Sequence, residues 1–126
     1  MSEDGPSAAS AGGSGESSER ASEREDGNAD TGAEDALAEL FAVIEDRKAH
    51  LPEDSYTASL FTHEKGENAV LEKLGEETTE LVLAAKDGER EDLAHESADL
   101  VYHLLVLLAM KDMDVEDLLA ELRARR

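Results

Sequence analysis

Two long stretches of helical periodicity, separated by a single turn, most constrain the fold of this chain. From about 67 to 86 and from about 90 to 111, large apolar side chains recur every three or four residues, and Asp87-Gly88-Glu89 separates the two stretches. This spacing places the apolar side chains on one face of each helix, and Gly88 is the residue type that commonly ends a helix. Two helices joined by so short a turn run antiparallel. The sequence therefore predicts a helical hairpin at the centre of the fold.

Shorter helical patterns flank this hairpin. Apolar spacing indicates a first helix over about 34 to 49, and Ser55 is placed to cap a short helical turn from Tyr56 to Phe61. Asp114 is placed to cap a last helix. No stretch alternates over a useful length with the period of two that is typical of strands. We therefore predict an all-α fold, an antiparallel bundle of about four to five helices.

The apolar surface of the hairpin exceeds what one small chain is able to cover. The segment from Leu100 to Met110 is apolar almost all round, and a helix of that kind is buried on more than one side. A second subunit would cover its outer face, so we predict a homodimer or larger homo-oligomer that completes the bundle. The residues of the first long helix that are predicted to face the interior are Val70, Leu71, Leu74, Leu81, Val82 and Ala85. The second long helix runs through Leu93, Ala94, Leu100, Val101, Leu104, Leu107 and Leu108.

The composition of the chain changes abruptly at Ala33. In residues 1–33, Met1 is the only large apolar side chain, while serine, glycine and acidic residues dominate. Such a segment cannot bury enough apolar surface to offset the roughly 1–2 kcal/mol of backbone entropy that ordering costs per residue. We therefore predict a disordered acidic tail over 1–33 and one folded domain over 34–126.

The net charge of -20, from 32 Asp+Glu against 12 Lys+Arg, excludes several classes of protein. A basic nucleic-acid-binding face is excluded, because the acidic groups repel the phosphate backbone. The absence of cysteine excludes disulfides, thiolate zinc sites and cysteine nucleophiles. No apolar run approaches the roughly 20 residues that span a bilayer, and the N-terminus lacks a signal-peptide pattern. We therefore predict a cytoplasmic protein without membrane partners, whose acidic surface is of the halophilic type, in which salt screens self-repulsion.

Five acidic residues lie beside positions that are predicted to face the core. Glu76, Glu77 and Glu80 form the pattern E-E-x-x-E on the first long helix, and Glu96 and Asp99 form E-x-x-D on the second. Residues three or four apart share one face of a helix. An antiparallel hairpin therefore brings two carboxylates from each helix, Glu77, Glu80, Glu96 and Asp99, to a common patch.

Carboxylates so close together do not all stay ionised unless cations neutralise them. Hard oxygen ligands suit Mg²⁺, or Mn²⁺ in its place. We therefore predict a metal site for chemistry on a pyrophosphate-bearing substrate, with Glu76 or Glu80 as general base for the attacking water. A redox di-iron site is disfavoured, because the Glu-x-x-His pairs it needs are missing. The alternative is a chance string of acids on a solvated surface, which a chain this acidic readily produces.

The residues around these carboxylates resemble the phosphoribosyl-ATP pyrophosphohydrolase family of histidine biosynthesis, part of the MazG-like all-α superfamily of nucleoside triphosphate pyrophosphohydrolases. The wider superfamily shares only the two carboxylate motifs. The resemblance covers about residues 36–126. It is carried by Lys73-x-Gly75-Glu76-Glu77, by Ala98-Asp99-x-x-Tyr102-His103, by Ser55-Tyr56-Thr57-Ala58-Ser59-Leu60 and by Glu45-x-Arg47-Lys48.

The resemblance implies Mg²⁺-dependent hydrolysis of the α–β phosphoanhydride of phosphoribosyl-ATP to phosphoribosyl-AMP and pyrophosphate. It implies metal ligation by Glu77, Glu80, Glu96 and Asp99, with Glu76 nearby as a ligand or base. Arg47, Lys48 and Lys73 are then candidates to contact phosphates, the alternative being ordinary surface charge. Tyr102 and His103 are candidates to contact substrate, the alternative being core residues with satisfied polar groups. His50, His63 and His95 are expected to be surface residues.

Some relatives carry a second, cysteine-dependent zinc enzyme of the same pathway on one chain. Because this chain has no cysteine, we expect it to have the first activity alone. Two other functions stay open at this point. One is a house-cleaning pyrophosphohydrolase that removes non-standard or excess nucleotides with the same metal site. The other is a non-enzymatic, acidic helical protein that binds partners through its apolar faces.

Overall fold

The computed structural model describes residues 29–126 of the chain, and within them all regular structure is helical. The all-α prediction is confirmed. In chain order the helices are α1 (Ala29–His50), α2 (Tyr56–Phe61), α3 (Glu67–Asp87), α4 (Arg90–Met110) and α5 (Val115–Ala124).

The first helix begins at Ala29, whereas the apolar spacing predicted a start near Glu34. Residues 29–33, assigned to the tail from their composition, are therefore helical. Adding residues to an existing helix costs far less than nucleating one. The prediction of disorder for residues 1–28 falls outside the described part of the chain.

The central hairpin is formed by α3 and α4, which share the most extensive contact between any two helices in residues 29–126. Gly88 ends α3 in the left-handed conformation, at a φ of 80°, and its N–H donates to the carbonyl of Ala84 over 3.1 Å. A side chain at this φ would be strained, which is why glycine stands here. The antiparallel pairing and the turn that permits it are both as predicted.

The core lies at one end of this hairpin. There the C-terminal half of α4 and the start of α3 pack against α1, α2 and α5. Two capping side chains define the short connections: the buried Ser55 caps α2 by accepting from the N–H of Ala58, and the exposed Asp114 caps α5 with a reciprocal capping box. The buried apolar cluster consists of Phe41, Ile44, Leu60, Val70, Tyr102, Leu105, Val106, Ala109, Val115 and Leu119.

Part of the apolar surface of the hairpin is not covered by α1, α2 or α5. Leu71, Val82 and Val101 are 43%, 54% and 38% exposed, and Leu83, Ala85 and Ala94 are exposed as well. The prediction that Leu71, Val82 and Ala85 face the interior is therefore wrong for a single chain. Val82, Leu83, Ala85 and Ala94 lie toward the turn at Gly88, away from the core. Leu71 instead lies at the core end of α3, directly after the buried Val70, and points away from the core.

Within the described residues, α4 alone has the length and apolar content of a helix that could cross a membrane. Its C-terminal half supplies Tyr102, Leu105, Val106 and Ala109 to the core. Its N-terminal half carries several acidic residues. Part of the apolar content of α4 is thus used in the core of the bundle.

Candidate metal centre

Glu77, Glu96 and Asp99 lie together between α3 and α4, and we call them the carboxylate cluster. One carboxylate oxygen from each lies within 4.8 Å of the other two. Glu77 is only 6% exposed, and the other two side chains are partly buried. The three-residue spacing of Glu96 and Asp99 puts both on the face of α4 that meets α3. The hairpin therefore produces the close approach that the two motifs predict for these three residues.

Two oxygens of the carboxylate cluster are buried without a hydrogen-bond partner, Glu77 Oε1 and Glu96 Oε1. An ionised carboxylate has no proton to donate, so two carboxylates cannot satisfy each other. Leaving such an atom buried and unpaired costs about 1–3 kcal/mol, and more when it is charged. A divalent cation would satisfy three converging oxygens, and oxygen donors are the set that Mg²⁺ and Mn²⁺ prefer. The donor set fits the metal that the sequence predicts.

The electrostatics of the site favour protonation when no cation is bound. Burial raises the pKa of Glu77, the negative charge of Asp99 raises it further, and the ammonium of Lys73 acts in the opposite direction. Burial also raises the pKa of Glu96, followed by the charge of Glu80. Both shifts have the causes expected of carboxylates that are short of counter-charge.

Glu80 and Glu76, the other two predicted carboxylates, lie at the solvent edge of the cluster. Both are exposed. Glu80 is close enough to Glu96 for their side chains to hydrogen-bond. Glu76 Oε1 lies 3.8 Å from Lys73 Nζ. Glu80 thus borders the cluster at Glu96, and Glu76 borders it through Lys73.

Of the three cations predicted to contact phosphates, Lys73 lies at the carboxylate cluster. Its Nζ is 3.7 Å from Glu77 Oε2. Lys48 instead donates to the carbonyl of Ala109 over 2.7 Å and to Asp112 over 2.8 Å, at the C-terminal end of α4. Ten residues of helix, about 15 Å, separate Ala109 from Asp99. Arg47, next to Lys48, forms an ion pair of 2.9 Å with Asp46.

The predicted pair Tyr102 and His103 is buried, and the two side chains have different neighbours. The hydroxyl of Tyr102 hydrogen-bonds the hydroxyl of Thr57 on α2, inside the core. His103 Nδ1 lies 2.9 Å from the backbone carbonyl of Asp99, and its Nε2 lies 3.2 Å from the hydroxyl of Tyr56. Burial lowers the pKa of His103. His103 therefore contacts the backbone of a cluster residue, while Tyr102 joins α4 to α2.

Two residues near the cluster were not identified as site residues from the sequence. Tyr56 is partly buried, and the charges of Lys73, Glu77 and Asp99 all act on its hydroxyl. His95, expected at the surface, is more than half exposed, yet its Nε2 lies 3.4 Å from Asp99 Oδ2. The four-residue spacing of His95 and Asp99 was a usable signal for the second contact. The position of Tyr56 depends on how α2 docks, which no local pattern reveals.

The cluster predicts a specific dependence of stability on pH in the metal-free protein. The pKa of Glu77 is raised above its ordinary value of 4.5 on folding. The folded protein therefore binds the carboxyl proton of Glu77 more tightly than the unfolded chain does. The stabilisation that comes from this proton falls as the pH rises from 4.5 through the raised pKa of Glu77. Glu77→Gln removes the charge and supplies an amide N–H donor. We expect it to raise the metal-free melting temperature near neutral pH by about 4 °C or more.

The measurement is thermal unfolding in the presence of a chelator, from about pH 4 to about pH 8. The difference in melting temperature between Glu77→Gln and the parent should widen as the pH rises. Glu72→Gln is the matched control on the same helix, because Glu72 is exposed and pairs only with Lys65 at the surface. If the difference in melting temperature stayed constant across the pH range, the negative charge of Glu77 would not destabilise the folded protein.

Known proteins are similar to this chain over most of the described residues. Residues 37–126 match the family model for phosphoribosyl-ATP pyrophosphohydrolase. The chain is 80% identical over 97 residues to the phosphoribosyl-ATP pyrophosphatase of Haloarcula marismortui, covering 77% of this chain and 97% of that protein. It is 75% identical over 93 residues to the protein of the same name from Natronomonas pharaonis, covering 74% and 92%. It is also 52% identical over 102 residues to the histidine biosynthesis bifunctional protein HisIE of Gloeobacter violaceus, covering 81% and 45%.

Proposed function

Since the chain belongs to the phosphoribosyl-ATP pyrophosphohydrolase family, we propose that its carboxylate cluster carries out Mg²⁺-dependent hydrolysis of phosphoribosyl-ATP. The chain is a hydrolase of histidine biosynthesis that acts on a phosphoanhydride. The products are phosphoribosyl-AMP and pyrophosphate. The observation that carries the metal requirement is the approach of three carboxylates to within 4.8 Å, with two buried oxygens unpaired.

Glu77, Glu96 and Asp99 would hold the ion, and Glu80 would add a fourth carboxylate from the solvent edge. The unpaired oxygens of Glu77 and Glu96 support this set, because each lacks a partner that a cation would provide. When bound, Mg²⁺ supplies positive charge that offsets the phosphate charge and polarises the attacking water. Mn²⁺ suits the same oxygen donors and is the expected substitute.

Side chains at the rim of the cluster would contact the phosphates and take up the proton of the attacking water. Lys73 Nζ, between Glu76 and Glu77, is the cation placed to contact a phosphate oxygen of the substrate. Glu76 and Glu80 are exposed carboxylates beside the cluster, so either is placed to take up the proton of the attacking water. Lys48 is not a phosphate-binding residue in this proposal, because its ammonium donates hydrogen bonds at the C-terminal end of α4.

The exposed apolar side chains along the hairpin support a homodimer. Leu71 and Val82 are eleven residues apart, so they lie on the same side of α3, and Val101 is exposed on the adjacent α4. Single exposed apolar residues are ordinary on a protein surface, but several on one hairpin mark a contact region. A second copy of the chain, packing its own hairpin on this surface, would complete the helical bundle.

The acidic surface supports action in a concentrated-salt cytoplasm. Apart from the site, most acidic residues of the described part are exposed, and acidic residues far outnumber the lysines and arginines of the chain. Salt screens the resulting self-repulsion. We therefore expect both folding and turnover to improve from low to multimolar salt.

A pyrophosphate-release assay with phosphoribosyl-ATP, with and without Mg²⁺, at low and multimolar salt, tests the proposed function. We expect turnover that a chelator abolishes and that added Mg²⁺ or Mn²⁺ restores. The control substrates are dCTP and dUTP. A strong preference for either of them would favour a house-cleaning pyrophosphohydrolase. The absence of any metal-dependent pyrophosphate release would instead favour the non-enzymatic helical protein.

A further inference from the structure

The ammonium of Lys73 lies against two acidic side chains of its own helix. Lys73 Nζ is 3.8 Å from Glu76 Oε1 and 3.7 Å from Glu77 Oε2. Residues three and four positions apart share one face of a helix, which is why these groups meet. The ammonium that is placed to contact a phosphate of the substrate is therefore held by carboxylates in the arrangement that the structure describes. Glu77 thus has two candidate cationic partners, Lys73 and a divalent ion.

The contact between Lys73 and Glu77 is a loose ion pair. Its distance of 3.7 Å exceeds the roughly 2.7–2.9 Å of a charge-assisted hydrogen bond. The order of the two residues, lysine before glutamate, is also the less stabilising of the two possible orders in a helix. The pair therefore contributes little to α3 itself. What Lys73 provides at this point is positive charge beside Glu77.

The carboxylate cluster has room for more positive charge than Lys73 supplies. Glu77 is buried, and its Oε1 has no hydrogen-bond partner. One oxygen of Glu77 lies within 4.8 Å of an oxygen of Glu96 and of Asp99. A single ammonium at Glu77 Oε2 offsets one of these three negative charges. A divalent cation held by the three oxygens would bring twice that charge, and it would repel the ammonium beside it.

The side chain of Lys73 is suited to leave this position. A lysine ammonium is a point charge on a flexible four-carbon stem, and it has no planar fork that fixes its direction. The Lys73 side chain is 37% exposed. Rotation about its own bonds therefore brings the ammonium into solvent without any movement of α3.

We propose that Lys73 is an exchangeable internal counter-ion, which leaves Glu77 when a divalent cation binds there and then contacts the phosphates of the substrate. The step exchanges one cation for another at Glu77, and no covalent bond forms or breaks. The inference rests on the proposed function. It adds an order of binding, in which the divalent cation comes first and the phosphate contact of Lys73 follows. Lys73 therefore opposes the binding of metal and assists the binding of substrate.

Binding of Mn²⁺ to the full-length protein in the absence of substrate tests the exchange. Electron paramagnetic resonance measures free Mn²⁺ in multimolar KCl, where exposed charges are screened within about 3 Å but a contact with a buried group is screened much less. We expect Lys73→Gln to bind Mn²⁺ about three- to tenfold more tightly than the parent, because a competing positive charge has been removed.

Lys65→Gln is the matched control for this measurement. It makes the same chemical change at an exposed lysine whose Nζ pairs with Glu72 over 3.0 Å, so the affinity for Mn²⁺ should not change. Unchanged Mn²⁺ binding by Lys73→Gln would overturn the proposal. Weaker binding would overturn it as well, because it would show that Lys73 only holds Glu77 in place.

NMR of isotope-labelled lysine side chains follows Lys73 in the parent protein. The Cε signal of Lys73 is assigned by its absence from the spectrum of Lys73→Gln. We expect this signal to move toward the position of an unpaired, solvated lysine when diamagnetic Mg²⁺ is added, while the Lys65 signal stays in place. A Lys73 signal that does not move at saturating Mg²⁺ would overturn the exchange.

Steady-state kinetics distinguish this inference from the proposed function. We expect Lys73→Gln to raise KM for phosphoribosyl-ATP about three- to tenfold, although the same variant binds Mn²⁺ more tightly. Opposite changes of this kind are not expected of a residue that only supports the fold, and an unchanged KM would overturn the phosphate contact. A parent protein that binds Mn²⁺ but releases no pyrophosphate would refute the proposed function, and the Mn²⁺ and NMR measurements would still decide the exchange. A parent protein that binds no Mn²⁺ would overturn both.

Discussion

Glu77→Gln and Asp99→Asn are each expected to lower kcat for pyrophosphate release by about 1000-fold or more, while the fold is retained. Both residues belong to the carboxylate cluster, and their oxygens lie within 4.8 Å of those of Glu96. Each substitution removes one anionic ligand with little change in side-chain volume. A bound metal contributes several kcal/mol of charge stabilisation in the transition state, and each 1.36 kcal/mol corresponds to a factor of ten in rate.

The measurement is pyrophosphate release at saturating Mg²⁺, together with circular dichroism to show that the helices remain. Glu72→Gln on α3 and Asp92→Asn on α4 are matched controls, because they make the same chemical change at exposed positions of the same two helices. The surface ion pair between Glu72 and Lys65 contributes at most about 1 kcal/mol. More than a tenth of the parent activity in both cluster variants would contradict the proposed metal site.

Val82→Glu is expected to convert the proposed homodimer into a monomer. Val82 is 54% exposed in the single chain and lies on the α3 surface that we propose packs against a second copy. An uncompensated charge buried in that interface costs at least about 3 kcal/mol, which raises the dissociation constant more than about 100-fold. Glutamate is a better helix former than valine, so the helix itself is not weakened.

Light scattering coupled to gel filtration in multimolar salt measures this effect. Leu122→Glu is the matched control, since Leu122 is 50% exposed and lies on α5, away from the hairpin. It adds the same charge to a comparable apolar position and should leave the mass unchanged. A parent protein that has the mass of one chain would refute the dimer, and so would a Val82→Glu variant that keeps the mass of two.

Local patterns were sufficient to predict the helices and the composition of the carboxylate cluster. The hairpin follows from two helical periodicities and a glycine at 88, and these are properties of neighbouring residues. The approach of Glu77 to Glu96 and Asp99 follows from the same hairpin, because three-residue spacing fixes which side chains share a face. The composition of residues 29–33 predicted that they belong to the tail, whereas they are helical. Composition alone does not show how far an established helix extends.

Contacts between distant parts of the chain required the tertiary structure. Lys48 and Ala109 are 61 residues apart, and their hydrogen bond depends on how α1 crosses the end of α4. Tyr56 reaches His103, 47 residues away, only because α2 docks beside the hairpin. The exposure of Val82 likewise depends on where α1, α2 and α5 stop covering that hairpin.

By itself, the sequence determined that this chain is an all-helical hairpin protein with carboxylates from two helices at one patch. Periodicity, capping and spacing act within one or two turns of the backbone, so residue order is enough to read them. The arrangement of the helices in space fixed which cation reaches those carboxylates and which apolar surface remains exposed. These outcomes depend on the packing of whole helices against each other, and the residues that meet there are far apart in the chain.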